Sequence, residues 1–470
     1  MMDSHTFLYV IFIPLIWAGF FSLKTVRSRQ ALMLTASYIL YASWGTAFLG
    51  LLVLSSAMNY AIGMSLRRQQ TAARLWLGII LNVLLLGIFK YVPELTAAHA
   101  STTLRYTIFS KIVMPIGISF WTFQALSYLF DLYRGEELTP SFLEFLLYMA
   151  FWPTVLSGPV CRLSNLLPQF RKASNPSSKE FWVGLDRIFL GLLMAAVGQT
   201  LAGGFHARTG LDAAFNGSFG PVTGADAWFM AIGYGFELFF NFAGYSHIVI
   251  GAAELFGIHL DENFNRPYLS TSPSEFWTRW HMSLSSWIRD YLFFPLVMVR
   301  REKWWRSVAL VVSMIVFGFW HRGTILFGLW GLYQGVLLVL HRQWQQVRKS
   351  PKNQMVFRWA ENLAWPVTFG SICLGWIFFR ANSGAQALAM FRAVASPRTY
   401  MEHALPFSLY ALVFVCVTGY FAILSASRVL QRYFLARTFP VEARVAFYAL
   451  AFYVGLLHTA QAQGFVYFQF

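Results

Sequence analysis

The sequence predicts an all-α polytopic membrane protein with about 11–13 transmembrane or re-entrant helices. Three observations predict this class: 57% of the 470 residues are hydrophobic, only 12% are charged, and the apolar residues form long runs. Soluble domains carry about 25% charged residues, so this chain has too little polar surface to remain in water. We therefore expect a multi-pass protein of the cytoplasmic (inner) membrane, in contact with lipid.

Apolar runs follow one another along the chain. They cover residues 6–23, 31–44, 47–66, 75–92, 106–130, 142–157, 188–205, 228–256, 308–320, 324–340, 359–379, 405–425 and 445–460. The first run lacks a preceding basic segment and a cleavage site, which predicts a retained helix rather than a signal peptide. A straight crossing needs about 20 residues. The shorter pieces, residues 142–157 and the two runs that meet at His321, are expected to be re-entrant or half-spanning and to line a cavity walled by protein.

The basic residues predict orientation. The net charge is +16, but Lys and Arg lie in short loops rather than along one face with interleaved aromatic residues, which argues against nucleic acid as a partner. Basic loops such as 300–306 and 342–352 alternate with loops of low charge such as 206–226. Because basic loops stay in the cytoplasm, both termini are expected on the outer, periplasmic face. The three cysteines lie in apolar sequence without metal-ligand spacing, so no metal site is predicted.

Two Trp-His dipeptides, Trp280-His281 and Trp320-His321, lie in apolar sequence where imidazoles are rare. Polar groups at such depth usually mark function. The uncharged run 308–320 precedes His321 and another apolar run follows it, so His321 is expected at the tip or break of a helical hairpin. Two roles are open for His321: a buried imidazole with both nitrogens hydrogen-bonded, or a general base that burial keeps neutral.

The segment of residues 263–291 is polar and aromatic, which predicts an amphipathic or re-entrant helix at the cytoplasmic interface. On such a helix one face would carry Trp277, Trp280, His281 and Leu284. The aromatic residues fit an interfacial anchor, whereas Arg279, Arg289 and Asp290 fit either ion pairs or ligand contacts. Asn241 adds a polar group to the middle of another span.

Several motifs occur in an order that is typical of one family. They are Pro115-Ile-Gly-Ile-Ser-Phe120, Gly158-Pro-Val-Cys-Arg162 with Leu167-Pro-Gln169, Asn241-Phe-Ala-Gly-Tyr-Ser246, Glu262-Asn-Phe-Asn-Arg-Pro-Tyr268, Phe276-Trp-Thr-Arg-Trp-His-Met-Ser-Leu-Ser285, Trp287-Ile-Arg-Asp-Tyr291, Trp320-His321, Gly331-Leu-Tyr333 and Trp376-Ile-Phe-Phe-Arg-Ala381. Over residues 114–387 the chain thereby resembles the membrane-bound O-acyltransferases, in particular the bacterial branch that acylates cell-envelope polymers. The resemblance implies a helical core around a central funnel. It also implies an activity of the kind that serves alginate O-acetylation or teichoic acid D-alanylation.

The resemblance implies His321 as the catalytic residue and His281 as the second motif histidine. Contacts to the donor or substrate are expected at Asn241, Arg266, Arg279, Trp280, Ser285, Arg289, Asp290, Trp320 and Arg322. Two positions depart from the family pattern, which usually has Asp in place of Asn241 and Gly in place of Arg322. The first change removes a carboxylate, and the second adds a cation beside the active centre that can bind a carboxylate or a phosphate.

The last six residues, Phe465-Val-Tyr-Phe-Gln-Phe470, match the F-x-Y-x-x-F ending of some envelope acylation systems of this family. That match implies Tyr467 as an acyl acceptor and relay, because a phenolic oxygen can carry an acyl ester. An aromatic residue that anchors a span end at the membrane surface is the other interpretation of Tyr467.

These features predict three parts: N-terminal transmembrane helices in residues 1–105, a catalytic core in 106–390, and C-terminal helices with the outer-face tail in 391–470. The expected function is O-acyl transfer, most simply O-acetylation. Cytoplasmic acetyl-CoA or an acyl-carrier thioester donates the group, with no other cofactor. An extracytoplasmic SGNH-type acetyltransferase and the polysaccharide synthesis machinery then pass it to an exported polysaccharide such as alginate or cellulose. A transporter or flippase of an envelope precursor and a scaffold without chemistry are the alternatives. Residues 1–100 and 398–436 carry no usable motif.

Overall fold

The protein is built from helices in a computed structural model that describes residues 4–98, 113–204, 209–348, 358–434 and 441–459. In chain order the helices are α1 (Ser4–Ser22), α2 (Val26–Ala42), α3 (Thr46–Arg68), α4 (Ala72–Ala98), α5 (Ile118–Tyr133), α6 (Phe142–Ala150), α7 (Leu163–Lys172), α8 (Ser178–Gly203), α9 (Leu211–Phe215), α10 (Gly224–Glu254), α11 (Pro273–Trp277), α12 (Met282–Ile288), α13 (Phe294–Met298), α14 (Lys303–His321), α15 (Ile325–Arg348), α16 (Arg358–Arg380), α17 (Gly384–Ala395), α18 (Phe407–Phe434) and α19 (Val441–Thr459). A π-helical turn, Arg289–Phe293, joins α12 to α13. No strand occurs in these described ranges, which confirms the predicted all-α class.

Seven helices in the described part of the chain are long and apolar enough to cross a membrane, namely α3, α4, α8, α14, α15, α16 and α18. At most 39% of the apolar window of any of them is buried inside the protein. The rest exposes large apolar side chains, such as Leu54 on α3 and Leu84 on α4. Helices that are both this apolar and this exposed require lipid around them. The chain is a multi-pass membrane protein, as the sequence predicts.

Each predicted apolar run contributes to a helix, but several helices begin earlier than the run. Helix α2 begins at Val26, because the Thr25 side chain accepts a hydrogen bond from the Ser28 backbone N–H at 3.1 Å. Helix α8 begins at Ser178, where Ser177 and Glu180 form a reciprocal capping box. Capping residues are polar and therefore lie outside an apolar run.

The predicted non-spanning piece at residues 142–157 is confirmed. Helix α6 has only nine residues, and the chain continues through residues 151–161 as buried backbone without helix or strand. Side chains from distant elements satisfy this backbone: the Trp152 N–H donates to Ser37 Oγ at 3.0 Å, and the Val160 N–H donates to Ser283 Oγ at 2.9 Å. Irregular backbone at membrane depth depends on such partners.

The expectation of two half-spanning pieces at His321 is wrong. Helix α14 has 19 residues and α15 has 24, and both are long enough to cross. The charged residues Lys303 and Arg306 begin α14 in helical conformation, which adds a turn that hydropathy does not reveal.

Glycines bring two pairs of helices into close contact. A Cβ on Gly191 of α8 would lie 2.4 Å from the Gly244 carbonyl oxygen of α10, and a Cβ on Gly318 of α14 would lie 2.1 Å from the Phe327 carbonyl oxygen of α15. Small residues at such interfaces allow backbones in a membrane to touch. The α14–α15 hairpin is therefore tightly packed at its closed end, where His321 lies.

Candidate active site

His321 is the last residue of α14, at the closed end of the hairpin, as the sequence predicts. The residue is buried, with 4% of its surface exposed. Its imidazole lies among the rings of Trp320, Phe317, Phe379 and Trp330, at centroid distances of 4.7, 4.8, 5.1 and 5.5 Å. Packing against helices α14, α15 and α16 thus positions this ring and keeps water away from it. Arg322 follows at the turn and is exposed.

His281 lies at a break in the polar segment. The predicted single helix with Trp277, Trp280, His281 and Leu284 on one face is wrong, because α11 ends at Trp277 and α12 begins at Met282. His281 has a φ of +42°, in the left-handed region. For a residue other than glycine this conformation costs about 1–2 kcal/mol and ends a helix. Such residues cluster at functional sites, where the surrounding structure holds them in place.

Asn263 holds the His281 ring. Its Oδ1 lies 3.1 Å from His281 Nδ1 and accepts a second hydrogen bond from Ser283 Oγ at 2.7 Å, while its Nδ2 donates to Ser246 Oγ at 3.2 Å. An amide oxygen only accepts, so the proton of a neutral His281 is on Nδ1 and the lone pair is on Nε2. Asn263 is fully buried and was not among the predicted site residues, although it stands inside a quoted motif.

The two Trp-His pairs meet at one aromatic wall. The Trp280 ring lies 5.1 Å from Trp376, which lies 6.3 Å from Trp330, and Trp330 lies 5.5 Å from the ring of His321. Continuous ring contacts thus connect the residue before His281 with His321, and both histidines are buried. We call this buried aromatic cluster the candidate centre.

Two of the four predicted arginines, Arg279 and Arg289, form ion pairs with carboxylates. Arg279 pairs with Glu275 at 2.6 Å, and Asp290 accepts hydrogen bonds from Arg162 at 2.5 Å and from Arg289 at 2.7 Å. Partial burial alone would raise the pKa of Asp290, but the hydrogen bonds from Arg289 and Arg162 lower it below the ordinary value of an aspartate. The ion-pair interpretation therefore describes Arg279, Arg289 and Asp290 in this structure.

The other predicted contact residues lie around the break at His281, on α10 and on α14. Ser285 Oγ donates to the Trp280 carbonyl at 3.0 Å, which supports the turn before α12. Arg266 is half-buried and, like His281, has a positive φ, +50°.

Asn241 lies against α8, since a Cβ on Gly198 would lie 2.4 Å from Asn241 Oδ1. Trp320 lies 5.0 Å from the Phe123 ring of α5. Tyr467, the predicted acceptor, lies outside the described residues.

Several buried side chains carry polar atoms that have no hydrogen-bond partner in the described part of the chain, among them His281 through Nε2, Glu237 through Oε2, and Gln334 through both amide atoms. Buried polar atoms are rarely left unpaired, so these positions suit a polar substrate group or water. Glu237 and Gln334 were not predicted. The available signal was a glutamate inside the apolar run 228–256 and a glutamine inside the apolar run 324–340.

The arrangement suits proton transfer to and from a hydroxyl group. A neutral imidazole accepts a proton as an oxygen attacks and returns it to the leaving group. The aromatic wall excludes water, which would otherwise compete as an acceptor and would weaken electrostatic interactions.

Known proteins are similar to this chain over most of its length. The family model of the membrane-bound O-acyltransferases matches residues 31–385. A probable alginate O-acetylase of Azotobacter vinelandii is 35% identical over 406 residues, which are 84% of this chain and 78% of that protein. The peptidoglycan O-acetyltransferase of Helicobacter pylori is 31% identical over 82% of this chain and 77% of its own length. The teichoic acid D-alanyltransferase of Streptococcus thermophilus is 32% identical over 63% of this chain and 75% of its own length.

Proposed function

The chain belongs to the membrane-bound O-acyltransferase family, and from that membership we propose that it carries an acetyl group from a cytoplasmic thioester through the membrane for O-acetylation of an exported polysaccharide. One observation carries the proposal: the two motif histidines, His281 and His321, are both buried, and continuous ring contacts connect Trp280 with His321. Acetyl is favoured over D-alanyl because the relatives that cover more than 80% of this chain are O-acetylases and an O-acetyltransferase.

In the proposed mechanism His321 is the general base. It takes the proton of the attacking hydroxyl, the new C–O bond forms as the thioester C–S bond breaks, and the proton passes to the departing thiolate. The donor is acetyl-CoA or an acetylated carrier protein. Arg266, at the polar segment, is proposed to contact the donor's phosphates, and Arg279 is proposed to do so by exchanging its ion pair with Glu275.

Helix termini support an orientation with the donor side in the cytoplasm. Basic residues end α3 and α15 and begin α14, as Arg68, Arg348 and Lys303. The excess of basic residues at membrane helix ends marks the cytoplasmic face. His321, at the other end of α14, then lies deep in the protein and toward the outer side, in an inner-membrane protein.

The acceptor proposed for the first transfer is Tyr467 in the outer-face tail. From its phenolic ester the group passes to an extracytoplasmic partner of the SGNH acetyltransferase type and then to sugar hydroxyls. Alginate-like or cellulose-like polymers fit, because the relatives named above include alginate O-acetylases.

The test is mass spectrometry of the C-terminal peptide after the purified full-length protein has been incubated with isotopically labelled acetyl-CoA. We expect an acetyl ester on Tyr467 in the unaltered protein and none in the His321→Ala and Tyr467→Phe variants. Tyr467→Phe keeps the ring and its packing and removes only the nucleophilic oxygen.

Ester formation on Tyr467 in the His321→Ala variant would contradict the role of His321. Acetyl transfer to polysaccharide by a strain that carries Tyr467→Phe would contradict the relay. Labelling by a D-alanyl thioester in preference to acetyl-CoA would reassign the acyl group.

A further inference from the structure

A lysine from the N-terminal helices lies against Trp320, the residue before the candidate catalytic histidine. Lys90 stands near the end of the apolar run on α4 and is buried, with 8% of its surface exposed. Its Nζ lies 4.8 Å from the ring centroid of Trp320, the residue before His321. A charged side chain this deep in a membrane protein is costly and is usually retained for function.

Helix α4 is attached to the end of α14 at this point. The Tyr91 hydroxyl, on the residue after Lys90, donates to the Phe319 carbonyl at 3.1 Å. The Trp320 ring that faces Lys90 lies 4.7 Å from the His321 ring. The Lys90 ammonium and the His321 ring therefore both contact the Trp320 side chain.

Acyl transfer from a thioester creates a negative charge that this site must stabilise. When the hydroxyl oxygen attacks the carbonyl carbon, its proton moves to His321 and the carbonyl π electrons move onto oxygen. The oxyanion then re-forms the carbonyl, the C–S bond breaks, and the imidazolium returns the proton to the thiolate. A cation in a water-excluded site stabilises such an oxyanion strongly, because little solvent screens it.

We propose that Lys90 is the cation that stabilises the oxyanion during transfer at His321. The inference rests on the proposed function, since it requires a thioester donor and a hydroxyl acceptor at this centre. It assigns an electrostatic role to a helix in which the sequence offers no motif. It also explains why a lysine is buried at this position, where burial of an apolar side chain would cost less free energy.

A purely structural role for Lys90 is the competing explanation, since a cation is favourable near the carbonyl end of a helix such as α14. The two roles differ in a measurable way. A structural cation contributes to the stability of the hairpin, whereas an oxyanion contact acts only in the transition state and lowers kcat without changing KM.

The experiment uses the full-length protein in lipid nanodiscs with acetyl-CoA as the donor probe. The release of CoA thiol in the single turnover onto Tyr467 is followed against acetyl-CoA concentration, so that kcat and KM denote the maximal rate and the half-saturating concentration of that turnover. The thermal midpoint of unfolding is measured in parallel. The variants are Lys90→Met, Lys90→Arg and His321→Ala. The matched control is Lys303→Met, which removes an exposed lysine from the opposite end of α14.

For Lys90→Met we expect kcat to fall about 10²–10³-fold, the usual effect of removing one oxyanion contact. We expect KM and the unfolding midpoint to stay near those of the unaltered protein. Lys90→Arg should recover most of the rate because it restores the charge, and Lys303→Met should behave like the unaltered protein. If Lys90→Met does not reach the membrane, Lys90→Gln replaces it under the same criteria.

Two results would overturn the inference, and they are distinguishable. If His321→Ala is inactive while Lys90→Met keeps its kcat, or loses it only with a matching loss of stability, the role of Lys90 is wrong and the proposed function stands. If His321→Ala releases CoA at the normal rate, the proposed function fails and the inference fails with it.

Discussion

His321 and His281 lie in the same centre but are held by different forces. His321 ends a long regular helix, and four aromatic rings on three helices pack around it. His281 lies at a break with a left-handed backbone, and its orientation depends on a hydrogen bond to Asn263. Packing sets the position of a ring. A hydrogen bond fixes which nitrogen carries the proton.

The difference indicates that His281 and His321 have different roles in the candidate site. His281 has one nitrogen committed to Asn263 and one lone pair, on Nε2, that has no protein partner in the described ranges. It is therefore suited to orient a group in one fixed direction. His321 is held mainly by apolar contacts and is suited to change its protonation state during the reaction.

Substitution of each histidine by glutamine tests most directly whether the two residues have different roles. His321→Gln should lower the transfer rate by about 10²–10⁴-fold, the usual contribution of a general base, because an amide cannot take up the proton. His281→Gln should lower it less, because glutamine retains hydrogen-bonding atoms. Acetyl transfer by the purified variants measures both. Equal losses would show that the two histidines act as one unit.

The packing that positions His321 can be disturbed by a substitution at Gly318, where α14 contacts α15. Gly318→Ala adds a Cβ that would lie 2.1 Å from the Phe327 carbonyl oxygen, so α14 and α15 must separate. Contact with rigid backbone leads us to expect a loss of about 3 kcal/mol in the free energy of unfolding, at the upper end for overpacking. Transfer should also fall. Gly419→Ala is the control, since a Cβ there meets nothing within 4 Å, and its thermal midpoint should be unchanged or higher. A normal midpoint in Gly318→Ala would contradict this close contact.

The hydrogen bond that orients His281 is tested by Asn263→Ala. We expect a loss of about 2 kcal/mol in the free energy of unfolding, because His281, Ser246 and Ser283 lose a buried partner. We also expect a roughly tenfold lower transfer rate, equivalent to about 1.4 kcal/mol in the barrier. Asn82→Ala is the matched control, since it breaks a buried amide pair with Asn59 and should reduce stability without lowering the rate. If Asn263 acts through His281, its effect on the rate should vanish in a His281→Ala background. Additive losses would show an independent role.

The smallest effect is expected at the polar segment. Arg279→Ala breaks a partly exposed ion pair with Glu275, so stability should change by less than about 1 kcal/mol. If Arg279 contacts the donor's phosphates, the KM for acetyl-CoA should rise about 3–10-fold at constant kcat, which corresponds to about 0.7–1.4 kcal/mol. Arg348→Ala breaks a similar pair with Glu361 and should leave KM unchanged. Identical kinetics for the two variants would remove Arg279 from the donor site.

Much of the protein was predictable from local sequence. The long apolar runs predict the membrane helices, because the cost of exposing polar backbone in lipid forces such runs into helices. The position of His321 between two apolar runs predicts its place at the hairpin tip. Helix starts such as Val26 and Ser178 were missed, because they depend on a few capping atoms rather than on average hydropathy.

Only the tertiary structure decided the contacts between distant segments. The sequence determined the helical membrane class, the two Trp-His pairs and the motif order, since these depend on neighbouring residues alone. It did not determine the break at His281, the bond from Asn263, or the approach of Lys90 to Trp320. A left-handed residue is tolerated only when the surrounding fold supports it. A lysine in an apolar run has a defined neighbour only after two helices have packed together.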